Sequence, residues 1–368
     1  MKISVCYIAK NEAQDLPRSL QSVQAAADEI IFVDTGSTDD SVQIAESYGA
    51  KIFHFAWCDD FSAPRNYAIE RATGDWIIFP DADEYFIAPD TVRSAVENVA
   101  RTDADAIMVM RININSTNDG MERSRDYAMR AFRRSEHLRY LGQIHEMLTR
   151  DDGKLNLFYA DSSLNMYHIG YANDRIKGKL ERNMKILRDS LERDGAQPWH
   201  YLYLPSHYFG LGEYKNALDA ARKAIASPVK PVGSSSEYYH IAIESLRQLK
   251  GSQQEMLALA EAAIAEYPDM PEYYAERGMI LCGLGEYDEA YCSFLQALDM
   301  FEQKIMHPQE TSYINAIIDK VYCRTAEMEN FVGDTLNATK HIAAALAANP
   351  HNDKARRLAE NLRLTARK

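Results

Sequence analysis

The stretch Trp76-Ile-Ile-Phe-Pro-Asp-Ala-Asp-Glu84 constrains this chain more than any other. An apolar run, Trp76 to Phe79, stops at Pro80, and three carboxylates follow: Asp81, Asp83 and Glu84. A short, bulky, β-prone run of this kind reads as a strand buried on both faces. The C-terminal end of such a strand is where open α/β sheets place their ligands. In an extended backbone positions i and i+2 share a side, so Asp81 and Asp83 are expected to project together across Ala82. Adjacent carboxylates repel unless a cation lies between them. Mg²⁺ or Mn²⁺, held by one or two carboxylates with phosphate oxygens completing the shell, meets that requirement. An acidic turn after a core strand accounts for the same residues without a metal, and this stretch alone leaves both readings open.

The preceding residues supply the sheet. Residues 3–9, Glu29–Asp34 and 51–57 read as strands, and helices are expected at about 12–25, 40–48 and 64–72, the first capped by Asn11. Strands alternating with helices of about ten residues imply βαβ crossovers and a mainly parallel sheet. Three strands then end in polar groups on one sheet edge: Asn11 and Glu12, Asp34, and Asp81 with Asp83. The formal charge of −13 argues against nucleic acid as the main partner, because no basic field is present to release counterions. The five cysteines are scattered and show no CxxC spacing, as expected of reduced thiols in a cytoplasmic protein, mostly filling cores. No segment approaches the roughly 18 apolar residues of a membrane span. Neither a Gly-x-Ser-x-Gly elbow, a Walker lysine loop nor a Gly-x-Gly-x-x-Gly turn occurs, which disfavours serine hydrolases, P-loop NTPases and dinucleotide dehydrogenases.

Four motifs in order carry a family resemblance: Ala9-Lys-Asn-Glu12, Asp34-Thr-Gly-Ser-Thr-Asp39, Phe61-Ser-x-x-Arg-Asn66, and Gly74-Asp-Trp followed by Asp81-Ala-Asp-Glu84. Together they resemble family 2 glycosyltransferases of the GT-A fold, and within these the bacterial members that carry tetratricopeptide repeats behind the catalytic domain. The resemblance covers about residues 1–175. It implies that Asn11, Glu12 and Asp34 contact the nucleoside and that Arg65 reaches the nucleotide. It further implies that Asp81 and Asp83, flanking Ala82, hold Mn²⁺ or Mg²⁺ against the diphosphate of a nucleotide-sugar donor. A UDP-sugar is the donor expected, although no residue fixes the base. Comparable family members place an acidic general base at a helix start beside the sugar. Here Leu141-Gly-Gln-Ile-His-Glu146 offers Glu146, with His145 as a substitute. A late His often returns to the metal, and His168 of His-x-Gly-Tyr matches that pattern. Each residue also has a plainer reading: Arg65 as a surface ion pair with Asp59 or Asp60, Glu146 as a helix N-terminal acid, and His168 as a core histidine. The cluster Arg130-Ala-Phe-Arg-Arg134 and the polar stretch 113–128, a hairpin or loop able to shape an acceptor site, complete this half.

Beyond about residue 174 strand signals vanish. A basic amphipathic helix, 175–193, is expected to link the halves, within a connecting segment 176–198. The motif Gly210-Leu-Gly-Glu-Tyr214 recurs as Gly283-Leu-Gly-Glu-Tyr287, and turn glycines at 212, 251, 285 and 333 stand 39, 34 and 48 residues apart. With Pro268 and Pro350 these fit tetratricopeptide repeats over 199–368, the last one expanded, and 228–236 falls in a loop between the first two. Helix pairs of this kind must stack to share a core. Their concave surface could hold an acceptor peptide, another protein partner or a second copy of the chain. The expected activity is an inverting, metal-dependent sugar transfer to a peptide, lipid-linked saccharide or glycan. A degenerate scaffold that assembles a complex through the repeats is the first alternative, and a nucleotidyltransferase, which would need a glycine-rich first loop, the second.

Overall fold

The computed structural model describes residues 1–114, 120–169, 173–194, 198–228, 230 and 233–365. The chain forms two compact units, residues 1–120 with 125–197, and residues 198–368 with 121–124.

The first unit opens with β1 (Ile3–Ala9), α1 (Leu16–Val23), β2 (Glu29–Asp34), α2 (Ser41–Ser47), β3 (Lys51–His54), α3 (Ser62–Arg71) and β4 (Trp76–Ile78). It continues through β5 (Glu84–Phe86), α4 (Pro89–Val99), β6 (Ala106–Ile114), β7 (Glu122–Arg133), β8 (Leu138–Leu141), β9 (Met147–Arg150), β10 (Leu157–Tyr159), β11 (Met166–His168) and α5 (Asn173–Asp194). The main sheet runs β3-β2-β1-β4-β7-β6-β11-β5, with β10 also on β6. Strands β1 to β4 are mutually parallel where they pair, and β7 joins β4 antiparallel. Alternation along β1 sorts the core. Val5 and Tyr7 pack with Leu16, Leu20, Val92 and Val96 on one face, while Cys6 packs with Ala68, Ile69, Phe132 and Tyr140 on the other. This two-sided burial explains why β2 is buried at every position. Gly74 sits where a Cβ would lie 2.6 Å from the Ser4 amide nitrogen, so the chain can enter β4 only without a side chain there.

Local differences from the sequence reading have physical causes. The first helix starts at Leu16, not near residue 12, and Asn11 is not its cap. Asn11 adopts φ +58°, and its Oδ1 accepts the Thr38 amide at 2.7 Å, tying the loop after β1 to the loop after β2. The third strand ends at His54 rather than Trp57. All five cysteines are free thiols, but only Cys6 and Cys323 are buried, so the core accounts for two of them.

The second unit is all helical: α6 (Pro198–Gly210), α7 (Tyr214–Ile225), α8 (Glu237–Gln248), α9 (Gln253–Glu266), α10 (Pro271–Leu284), α11 (Tyr287–Glu302), α12 (Ile318–Phe331), α13 (Thr335–Ala348) and α14 (Asp353–Thr365). Helices α6 to α13 form four consecutive pairs, each joined at one of the expected turns, and α14 follows the last. Buried alanines such as Ala217, Ala242, Ala275, Ala290, Ala326 and Ala345 let the helices approach closely. The turns contain left-handed residues Gly212, Gly285 and Gly333, but in the α8–α9 turn that position is Lys250 (φ +53°), not Gly251. The long 48-residue interval holds an insertion between α11 and α12 that packs back on the earlier repeats. There Glu310 accepts the Ser236 amide at 2.8 Å, and Tyr313 lies 4.3 Å from the His240 ring. The loop 228–236 does separate α7 from α8, with Val229, Pro231 and Val232 outside the described residues.

Candidate functional site

The C-terminal ends of β1, β2 and β4 open onto a cavity of about 550 Å³. Its lining brings together Ile8 and Ala9 at the end of β1, Lys10 and Glu12 after it, Thr35 after β2, Asp81 to Asp83 after β4, and Ile144, His145 and Glu146 between β8 and β9. Trp57, Phe61 and Arg65 close one side, and Arg111, Arg130, His168 and the α5 residues Lys179, Arg182 and Asn183 complete it. Six cationic side chains (Lys10, Arg65, Arg111, Arg130, Lys179, Arg182) meet four carboxylates (Glu12, Asp81, Asp83, Glu146), in a chain whose formal charge is −13. Cations gathered on the cavity wall in this way suit an anionic ligand.

Asp81 to Glu84 is a turn rather than continued strand: the Glu84 amide donates to the Asp81 carbonyl at 3.0 Å, and the Asp81 amide returns to Glu84 Oε2 at 3.0 Å. Within the turn the two aspartates, both in the cavity lining, take different partners. Asp81 accepts from Arg65 Nη2 (2.8 Å) on Oδ1 and from Arg130 Nη2 (2.5 Å) on Oδ2. Asp83 Oδ2 accepts from Lys179 Nζ at 2.9 Å and lies 3.6 Å from His168 Nε2. Burial pushes both carboxyls up, but the arginines at Asp81, and His168 and Lys179 at Asp83, outweigh it and hold both well below the usual carboxylate range.

Behind this turn is a network that local sequence pattern does not reveal. Fully buried Glu84 accepts from Arg130 Nε (2.6 Å) and Nη2 (2.7 Å), and from Arg111 Nη1 (3.3 Å). Arg111 forks onto Asp126 at 2.8 and 3.0 Å. Asp126 also accepts from the Asn113 amide at 3.1 Å, which leaves Asn113 Oδ1 to accept from His168 Nδ1 at 2.7 Å. That relay fixes the imidazole with Nε2 facing Asp83. The sequence signals for it were Glu84 after the aspartates, the cation cluster beginning at Arg130, and a charged residue, Arg111, within an apolar strand.

Arg65 is a buried bridge, not a surface partner of Asp59 or Asp60. Its Nε donates to Glu146 Oε1 at 2.6 Å, and its guanidinium lies over the rings of Phe79 and Tyr140. The neighbouring motif residues build the scaffold. Asn66 clasps the backbone of Tyr140 through both amide atoms at 2.9 Å, and the Ser62 hydroxyl donates to the Gly142 carbonyl at 2.5 Å. These bonds hold the β8–β9 connection, and with it Glu146, against α3. Glu146 therefore precedes a strand, β9, and does not start a helix. His145, in the left-handed region at φ +53°, lines the cavity beside it. Asp34 has its carboxylate turned into its own loop, accepting from Ser37 (2.9 Å), Gly36 (3.2 Å) and His54 (3.3 Å). Asn11 and Asp34 thus shape the rim, whereas Glu12 and Ala82 lie in the cavity wall. Of the expected polar stretch, Asn113 serves in the relay, and residues 115–119 lie outside the described residues, as do Gly170 and Tyr171 of the His168 motif.

For a divalent ion, Asp83 and His168 form an adjacent oxygen–nitrogen pair. Asp81 is drawn aside by its two arginines. Among the described residues, triads whose ligand atoms lie within 4.8 Å of one another occur elsewhere, at His137, Asp151 and Asp152 and at His240, Glu244 and Glu276. Asp83 with His168 fits an ion that takes its remaining ligands from phosphate and water, while each Asp81 oxygen already accepts from an arginine.

Comparison with known proteins agrees with this geometry. Residues 4–163 match the family described as glycosyl transferase family 2. The N-terminal domain is similar to that family over those residues. The chain is 35% identical over 264 residues to a TPR repeat-containing protein of Synechococcus elongatus, covering 67% of this chain and 62% of that protein. It is 28% identical over 231 residues to the SPbeta prophage-derived glycosyltransferase SunS of Bacillus subtilis, covering 61% of this chain and 53% of that protein. An uncharacterized glycosyltransferase of Rickettsia felis is 43% identical over 83 residues, 23% of this chain and 29% of that protein. The chain thus spans less than two thirds of the length of these relatives. Among the described residues, no helix is long and apolar enough to cross a membrane.

Proposed function

We propose that the chain is a metal-dependent inverting glycosyltransferase, taking a sugar from a nucleoside diphosphate donor, a UDP-sugar, to a peptide, lipid-linked or glycan acceptor. The observation that carries this reading is the pairing of Asp83 with His168 inside a cation-rich cavity at the C-terminal ends of parallel strands. Asp83 and His168 would hold Mn²⁺ or Mg²⁺, which when bound supplies Lewis-acid stabilisation of charge on the departing diphosphate. Glu146 is the proposed base for the acceptor hydroxyl, with His145 beside it as the alternative. Arg65 bridges Glu146 and Asp81, so the group that would receive the proton and the diphosphate end of the cavity are held on one guanidinium. Glu146 Oε1 is engaged by Arg65, so proton transfer uses Oε2 or follows a shift of Arg65 toward donor phosphate. Glu12, with the loop after β1, would border the nucleoside. The helical repeats are proposed to bind the acceptor or a partner protein.

Calorimetric titration of UDP with and without Mn²⁺, on the wild type and on Asp83→Ala, tests the reading. Metal-dependent binding that Asp83→Ala abolishes is the expected result. Absence of binding by any nucleoside diphosphate under either condition would overturn it and favour a scaffold role.

A further inference from the structure

Helix α5 lies outside residues 4–163, which match the glycosyltransferase family, yet it contributes Lys179, Arg182 and Asn183 to the cavity. Their spacing, i, i+3 and i+4, puts all three on one face of the helix. Lys179 Nζ donates to Asp83 Oδ2, the same oxygen that His168 Nε2 approaches. The ammonium therefore stands on the flank of Asp83 that an ion shared with His168 would use. The two ends of this pair differ in freedom: the Asp83 side chain is 8% exposed and the Lys179 side chain 36%. A buried carboxylate without a counter-charge is costly, so some cation must hold Asp83 when no metal is present. A divalent ion bound there would repel the ammonium. Lysine's four-carbon stem lets the head move several ångströms while its backbone stays in α5.

We propose that Lys179 is an exchangeable counter-ion, holding Asp83 in the free protein and transferring to the donor diphosphate, alongside Arg182, when metal and nucleotide bind. This rests on the glycosyltransferase reading and deepens it by assigning diphosphate-binding residues to a helix beyond the matched family region. Arg182 suits the second role. Its guanidinium lies over the Phe61 ring, 5.0 Å from the centroid, and its Nε and Nη2 donate to Asn183 Oδ1 at 3.2 and 3.1 Å, so it is Nη1 that would reach phosphate oxygens. Two cations that follow the diphosphate would offset its charge without covalent chemistry.

The exchange predicts opposite effects on two affinities, which a purely structural ion pair does not. In the full chain, Lys179→Ala should bind Mn²⁺ alone roughly ten-fold more tightly, because the competing internal cation is gone. It should bind UDP in saturating Mn²⁺ roughly ten-fold more weakly, the size of one charge-assisted hydrogen bond. Lys179→Arg should recover most of the UDP affinity, and Arg182→Ala should weaken UDP binding while leaving Mn²⁺ affinity unchanged. Calorimetry with MnCl₂, then with UDP, reads both quantities, and an unchanged thermal transition verifies folding. Equal Mn²⁺ affinity in wild type and Lys179→Ala, or a change of both affinities in the same direction, would overturn the exchange. If the wild type binds UDP with Mn²⁺ and Lys179→Ala matches it, only this inference fails; if the wild type binds no UDP, the glycosyltransferase reading fails and this one with it.

Discussion

Glu84→Gln tests whether the buried charge network is what shapes the acidic turn. The Glu84 side chain is 0% exposed and meets Arg130 Nε and Nη2 at 2.6 and 2.7 Å, Arg111 at 3.3 Å, and the Asp81 amide at 3.0 Å. Gln preserves shape and can still accept from the Asp81 amide, but its NH₂ group then faces the guanidinium donors of Arg130 and Arg111. Removing one partner of a buried pair costs roughly 3–5 kcal/mol, because the remaining charge is left uncompensated. Arg130 keeps Asp81 at 2.5 Å, so the lower end applies, about 3 kcal/mol. For a unit of this size that corresponds to a fall in Tm of about 6–12 °C.

The assay is urea unfolding followed by tryptophan fluorescence in a Trp199→Phe background. The other two of the three tryptophans, Trp57 and Trp76, both belong to the first unit. Adding Arg130→Met to Glu84→Gln should cost less than the sum of the single changes by about 1.5 kcal/mol or more, since each single change strands the other's charge. A loss below about 1 kcal/mol for Glu84→Gln, or strict additivity, would refute the claim that this pair holds the turn.

Two stability predictions concern the helical unit. Glu272 is fully buried, accepts the Tyr313 amide at 3.0 Å, and burial pushes its carboxyl up to about 7. The unfolded chain titrates near ~4.3, so the folded state is favoured by the extra proton, and Glu272's contribution falls as pH rises from about 4.3 to 7. Glu272→Gln should gain up to about 3 kcal/mol over wild type above pH 7 and nothing near pH 4; a difference that does not vary with pH refutes this. Lys250→Gly should stabilise and Gly285→Ala destabilise, each by about 1 kcal/mol, because both positions are left-handed (φ +53° and +85°). Urea midpoints that move the same way for both would disprove that account.

The sequence made local features legible and left long-range ones hidden. Strand–helix alternation, the polar ends of β1, β2 and β4, and the helix pairs all follow from periods and turn residues within a short window. The partners of the acidic turn do not. Arg130 meets Glu84 from 46 residues away, Arg65 meets Glu146 from 81, and Lys179 meets Asp83 from 96. Arg65 was as compatible in sequence with Asp59 or Asp60 as with its actual partners, and only the register that brings β8 beside α3 decides. Glu146 was expected at a helix start because comparable family members place their base there; here β8 pairs with β9 and Glu146 precedes a strand. In the α8–α9 turn a glycine beside the left-handed position drew the assignment away from Lys250. The role of Gly251 is close packing instead, since a Cβ there would lie 2.8 Å from Leu246 Cδ2.

Three acidic residues of the cavity are ion-paired within the protein: Asp81 with two arginines, Asp83 with Lys179 and His168, Glu146 with Arg65. A cavity whose carboxylates already hold cations gains little from a metal ion alone, because the ion must displace a partner whose charge then has nowhere favourable to go. A nucleoside diphosphate alone would meet carboxylates as well as cations. Metal and diphosphate together change the balance, since the displaced ammonium finds phosphate oxygens and the ion keeps Asp83. On the glycosyltransferase reading, then, the two ligands bind cooperatively, and the coupling resides in the exchange of Asp83 between Lys179 and the metal. By linkage, the factor by which Mn²⁺ tightens UDP equals the factor by which UDP tightens Mn²⁺. On that reading the charge network stabilises the site without ligands and reserves metal binding for the moment when the donor is present.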